Sequence, residues 1–114
     1  MKNDKSKSLK MVMAIVQRGK GDDIVSAAIK SGAPAATVFF GRGRGIRERL
    51  GMLGLAIQPE KEIIMIVAEE RLVDQVITGM VKAGNLDQPG MGFVFVVPVE
   101  RAMGMVEAEE LEHM

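Results

Sequence analysis

A β-α-β unit written twice in one 114-residue chain predicts an α+β sandwich, a four-stranded antiparallel sheet with two helices on one face. Three observations predict it. The stretch 22–32 (DDIVSAAIKSG) recurs, conservatively changed, as 74–84 (DQVITGMVKAG). Each copy follows an apolar run, 10–16 and 62–68, and each precedes another, 36–40 and 93–97. A link opening on GRGRG at 41–45 separates the two halves.

The elements follow in order. Residues 1–8 carry too little apolar surface to order themselves and read as a disordered basic tail with Lys2, Lys5 and Lys7. The run 9–17 is strand-like, and Gly19-Lys20-Gly21 breaks it. Asp22 is placed to cap a helix whose apolar stripe is Ile24, Val25, Ala28 and Ile29. Gly32 suits its C-terminus, and Pro34 stops it from continuing. A second strand reaches about Gly41. The third, 63–68, leads into a helix with Leu72, Val73, Val76, Ile77, Met80 and Val81 on its apolar side, ended by Gly84. A Gly90-Met91-Gly92 turn opens the last strand, and Glu107, Glu109, Glu110 and Glu112 make 106–114 an acidic tail. The domain proper is 9–105, and the order βαββαβ is the ferredoxin-like arrangement.

In that arrangement the helices cover one face of the sheet, so a lone domain should alternate apolar and polar residues along each strand. This chain does not: 11–16, 63–68 and 93–97 are apolar on both sides. The second face needs a cover that the short, charged or glycine-rich remainder barely supplies, which predicts association with further subunits.

Composition excludes several functions. Fifteen Lys/Arg balance fifteen Asp/Glu, leaving no net field to steer the chain toward nucleic acid or anionic membrane. No apolar run approaches the ~18 residues of a spanning helix, so the chain is not expected to be membrane-embedded. The absence of cysteine removes thiolate chemistry and fits a cytoplasmic location, and the single histidine, His113, makes histidine catalysis or a histidine metal site within one chain a poor reading. No nucleophile, base and orienting group come together, so no enzyme is expected. Nor do the strands 9–17 and 63–68 offer aromatic residues on which RNA bases could stack.

The link 41–60 is long for so small a domain, which points to function. Arg42, Arg44, Arg47 and Arg49 offer rigid forks of donors for phosphate or carboxylate, among glycines that allow close backbone approach. Ile46, Leu50 and Leu53 add apolar material suited to docking on a partner. The segment lacks the Lys-Ser/Thr ending of a P-loop and the spacing of a dinucleotide fingerprint.

Taken with the strand order, 37–45 (TVFFGRGRG) and 90–96 (GMGFVFV) make the chain resemble the PII nitrogen-regulatory signal-transduction proteins, in particular their divergent PII-like branch, over about 9–105. The resemblance implies a homotrimer whose sheets face the threefold axis, with an adenine nucleotide or other anion bound between subunits. It also implies that the link is a T-loop acting on a membrane transporter or an enzyme. Carried over, it assigns effector binding to Thr37, Gly43, Arg44, Gly90, Met91, Gly92 and Arg101, and partner binding to Arg42, Ile46, Arg47, Arg49, Leu50 and Leu53. Departures shape the expectation. Met91 stands where the family has an acidic residue, Phe93 where it has a basic one, and Gly104 and Val106 replace two arginines. Losing three cations weakens the hold on a triphosphate and leaves ATP, ADP, AMP, another anion or no nucleotide as open choices. Gly45 and Glu60 replace the glutamine and lysine tied to 2-oxoglutarate, and 41–61 contains no Tyr, Ser or Thr for covalent modification. The alternatives are a CutA-like trimer linked to metal tolerance and a ligand-free adaptor.

Overall fold

The computed structural model describes residues 8–43 and 60–105; the basic tail, most of the link and the acidic tail fall outside the described residues. Its elements run β1 (Leu9–Gln17), α1 (Gly21–Lys30), β2 (Thr37–Arg42), β3 (Glu60–Glu69), α2 (Glu70–Gly84) and β4 (Gly92–Val99). The sheet order is β2-β3-β1-β4, with every neighbouring pair antiparallel, which is the predicted ferredoxin-like sandwich.

Because side chains alternate along a strand, the register sorts them onto two faces. Val12, Ala14 and Val16 of β1 and Ile64, Ile66 and Ala68 of β3 point toward the helices and are at most 1% exposed. They meet Ile24 and Ala28 of α1 and Val73, Val76 and Met80 of α2 in one core. Ile29, expected on the apolar stripe of α1, is 49% exposed instead. The buried stripe of α1 is Gly21, Ile24 and Ala28, and Ile29 lies off to one side of it.

Among the described residues the opposite face carries no helix. Met13 pairs with Met65 and Phe95, Ile15 with Ile63 and Phe93, and Met11 with Val67 and Val97. Phe39 extends the same face on β2, opposite Ile63. This is the second apolar face that the unbroken strand patterns implied, laid out as a continuous sheet surface.

The cap of α1 differs from expectation. Lys20 is the N-cap residue and makes no side-chain cap bond, while Asp22 sits inside the first turn. The acceptor comes from β3 instead. Glu62, 7% exposed, takes hydrogen bonds from the backbone N–H of Gly19 (2.7 Å) and Gly21 (2.9 Å) through one carboxylate oxygen. A carboxylate at a helix N-terminus satisfies orphan donors and complements the helix dipole, so its burial is compensated. Glu62→Ala is expected to cost about 2–3 kcal/mol, with Glu62→Gln recovering part through its amide oxygen. Urea unfolding of the three proteins at equal concentration checks this ranking. At the far end of α2, Asn85 rather than Gly84 takes the left-handed cap conformation (φ 52°).

Candidate functional site

Four strand ends converge where the link leaves and re-enters the sheet. Gln17 ends β1 opposite Lys61, and Lys61 pairs with Gly41 of β2. Val16 pairs with Gly92 at the start of β4. The Gly90–Gly92 turn therefore lies beside the foot of the link, although 46 residues lie between Gly43 and Gly90 in the chain.

Between them is a cleft of about 410 Å³ lined by Ile15, Val16, Gln17, Gly43, Lys61, Gly90, Gly92 and Phe93. Two glycines shape its wall through conformations that other residues rarely adopt, φ +83° at Gly90 and +127° at Gly92. Gly92 is also pressed against β1, where a Cβ would come 2.5 Å from the Ile15 carbonyl oxygen. Phe93 is 56% exposed and stacks on Phe95, ring centroids 5.6 Å apart, giving the cleft an aromatic wall. Lys61 supplies a cation at the lip. The cleft thus offers backbone close to a ligand, one ammonium and a largely apolar lining, a combination suited to a small anion with an apolar part.

Of the residues singled out from sequence, Gly43, Gly90 and Gly92 line this cleft, with Met91 half-buried in the same turn. Thr37 and Arg101 lie elsewhere. Thr37 opens β2 opposite Met65, six residues and roughly 20 Å of strand from Gly43. Arg101 is exposed beyond Val99, which pairs with Leu9 at the opposite end of the sheet, more than roughly 20 Å from Gly92. Arg42 ends β2, exposed and opposite Glu60. Arg44, Ile46, Arg47, Arg49, Leu50 and Leu53 lie outside the described residues.

Sequence reasoning missed Lys61, Gln17 and the lining role of Phe93. For Lys61 the signal was parity. Glu60 and Glu62 face the helix side of β3, and only the residue between them faces the open side with Gln17 and Gly41. Among the described residues no group of three or more acidic, His or Cys side chains could hold a metal ion, and no helix is long and apolar enough to cross a membrane.

Comparison with known proteins agrees with the fold. The family model for nitrogen regulatory protein P-II matches residues 9–109. A nitrogen fixation nifHD region GlnB-like protein 1 of Methanothermococcus thermolithotrophicus is 32% identical over 96 residues, covering 82% of this chain and 90% of its own. The nitrogen regulatory protein P-II of Synechocystis is 30% identical over 107 residues, covering 90% and 96%. Among solved structures, Arabidopsis thaliana PII bound to citrate superposes with a TM-score of 0.63 at 25% identity, over 85% of this chain and 91% of that one. The chain therefore belongs to the nitrogen regulatory protein P-II family, which consists of regulatory signal transducers and not of enzymes.

Proposed function

We propose that this chain is the subunit of a cytoplasmic homotrimer that binds a small anionic effector at the foot of the 41–60 link and reports it, through that link, to a membrane transporter or an enzyme. The cleft carries the reading. It joins Gly43, where the link departs, Lys61, where it returns, and the Gly90–Gly92 turn, so a ligand seated there touches both ends of the proposed output segment. A ligand that binds one arrangement of those ends better than another shifts the population toward it.

Assembly completes the site in this reading. Thr37 and Arg101 are too far from the cleft of their own subunit to share a small ligand with Gly43 and Gly92. Packing of the apolar open faces around a threefold axis gives them the chance to approach a neighbour's cleft. The metal-tolerance alternative is displaced by the family match.

The effector is a weakly charged anion, with AMP or ADP ahead of ATP. Phe93 lines the cleft where a cation would neutralise a polyphosphate, and Lys61 is the cation of the described lining. The solved relative that carries citrate makes a carboxylate a second candidate. Calorimetric titration with AMP, ADP, ATP, citrate and bicarbonate tests the reading, with Arg44→Ala as the variant that should weaken binding. AMP or ADP is expected to bind more tightly than ATP. Phe93→Lys should shift the preference toward ATP by roughly tenfold, the effect of one added charge-assisted contact. Absence of heat with every ligand would reduce the protein to a ligand-free adaptor.

A further inference from the structure

The helix side of the ends of β1, β2 and β3 carries a second constellation. Arg18, the residue after β1, places its guanidinium 3.4 Å from the Glu60 carboxylate and 6.0 Å from the centre of the Phe40 ring. Its backbone N–H also donates to the Glu60 carbonyl oxygen at 3.3 Å. Phe40 stands on the leg that enters the link and Glu60 on the leg that returns from it. Three residues on, Gly21 is tied through its N–H to Glu62 of the returning leg. The β1–α1 turn therefore grips both legs from the face opposite the cleft, and two features mark this as more than chance surface pairing. Phe40 is 68% exposed on an edge strand and stands outside the buried core, so its ring face is open to the guanidinium. Among the described residues, the cation over it comes from Arg18, adjacent to Gln17, which lines the cleft on the other face.

We infer that Arg18 is a positioning residue for the link: with Phe40 and Glu60 it forms a clasp that sets how the two legs leave the sheet. The inference rests on the proposed use of the link as the output segment. It adds a mechanical route, because a ligand against Gln17, Gly43 and Lys61 and the clasp of Arg18, Phe40 and Glu60 act on the same short stretches of backbone from opposite faces.

Amide hydrogen exchange on the full chain, with no ligand and no partner present, tests the clasp. Arg18→Ala is expected to speed exchange in 40–42 and 60–61 roughly threefold to tenfold, the effect of losing one exposed ion pair and one cation–π contact. Exchange at Ile64 and Ile66, in the core of β3, should not change. Arg18→Lys keeps the charge without the flat guanidinium, and should fall between the two. Unchanged rates in 40–42 and 60–61 would overturn the clasp, and so would a uniform rise across β3, which would mark Arg18 as a general stabiliser. A protein that binds no effector in calorimetry yet shows the local acceleration would refute the effector reading and leave the clasp standing.

Discussion

Replacing Met65 by glutamate is expected to reduce the proposed trimer to single chains. Met65 lies in the middle of the open sheet face, paired with Met13 on β1 and Thr37 on β2, with Phe95 one strand beyond Met13. The described residues of its own chain leave this face without a helix, so the packing of one copy against the others is what would keep it dry. A carboxylate placed there must lose its water among Met13, Ile63, Val67 and Phe95, with no cation beside it in the register and the Thr37 hydroxyl of the edge strand as its one donor there. An uncompensated buried charge costs about 3–5 kcal/mol, and a symmetric assembly meets that cost once per subunit. Each 1.4 kcal/mol is about a tenfold change in an equilibrium constant, so association at micromolar concentration is lost. Light scattering should give three times the 12.3 kDa chain mass for the natural protein and for Met65→Leu, and a single chain mass or aggregate for Met65→Glu. A natural protein that scatters as one well-folded chain would overturn the trimer, and a Met65→Glu protein that stays trimeric would place the contact on another surface.

The same face explains what could be read from the chain and what could not. Local pattern was enough for the architecture. The repeated helix and the runs around it fixed the element order, and apolar residues on both sides of 11–16 exposed the need for a second cover. The features that escaped all depend on which residues face each other across the sheet. β3 begins at Glu60, ahead of the apolar run 63–68, because Glu60 and Lys61 are held by pairing to Arg42, Gly41 and Gln17 and not by hydrophobicity. Asp22 looked like the cap of α1 by position, yet the acceptor is Glu62, forty residues on, delivered by the β1–β3 register. Lys61 entered the cleft for the same reason, while Thr37 and Arg101 fell away from it. A family motif lists residues without saying how far apart the fold sets them. The single-chain geometry separates them into two groups.

Gly92→Ala should be among the most damaging single-methyl changes available to this chain, and it probes fold and cleft together. At φ +127° the backbone of Gly92 lies where an L-residue is strained by about 1–3 kcal/mol. Sterics add to that strain, because the new Cβ would sit 2.5 Å from the Ile15 carbonyl oxygen and 3.2 Å from the Val16 Cα. Both are backbone atoms of the central strand β1, which also pairs with β3, so neither can yield without disturbing two ladders. The start of β4 must therefore peel away from Val16, carrying the Gly90–Gly92 turn out of the cleft. Gly104→Ala is the matched control. It has a similar left-handed backbone (φ +90°) and nothing within 4 Å of its added methyl, so it isolates the strain. Expected losses in urea unfolding at fixed concentration are about 1 kcal/mol for Gly104→Ala and at least about 3 kcal/mol for Gly92→Ala. Effector binding should survive the first change and fail in the second, even below the temperature at which the variant unfolds. Equal losses from the two would mean that β1 accommodates the methyl, and that the tight approach of the turn to β1 is not what shapes the cleft.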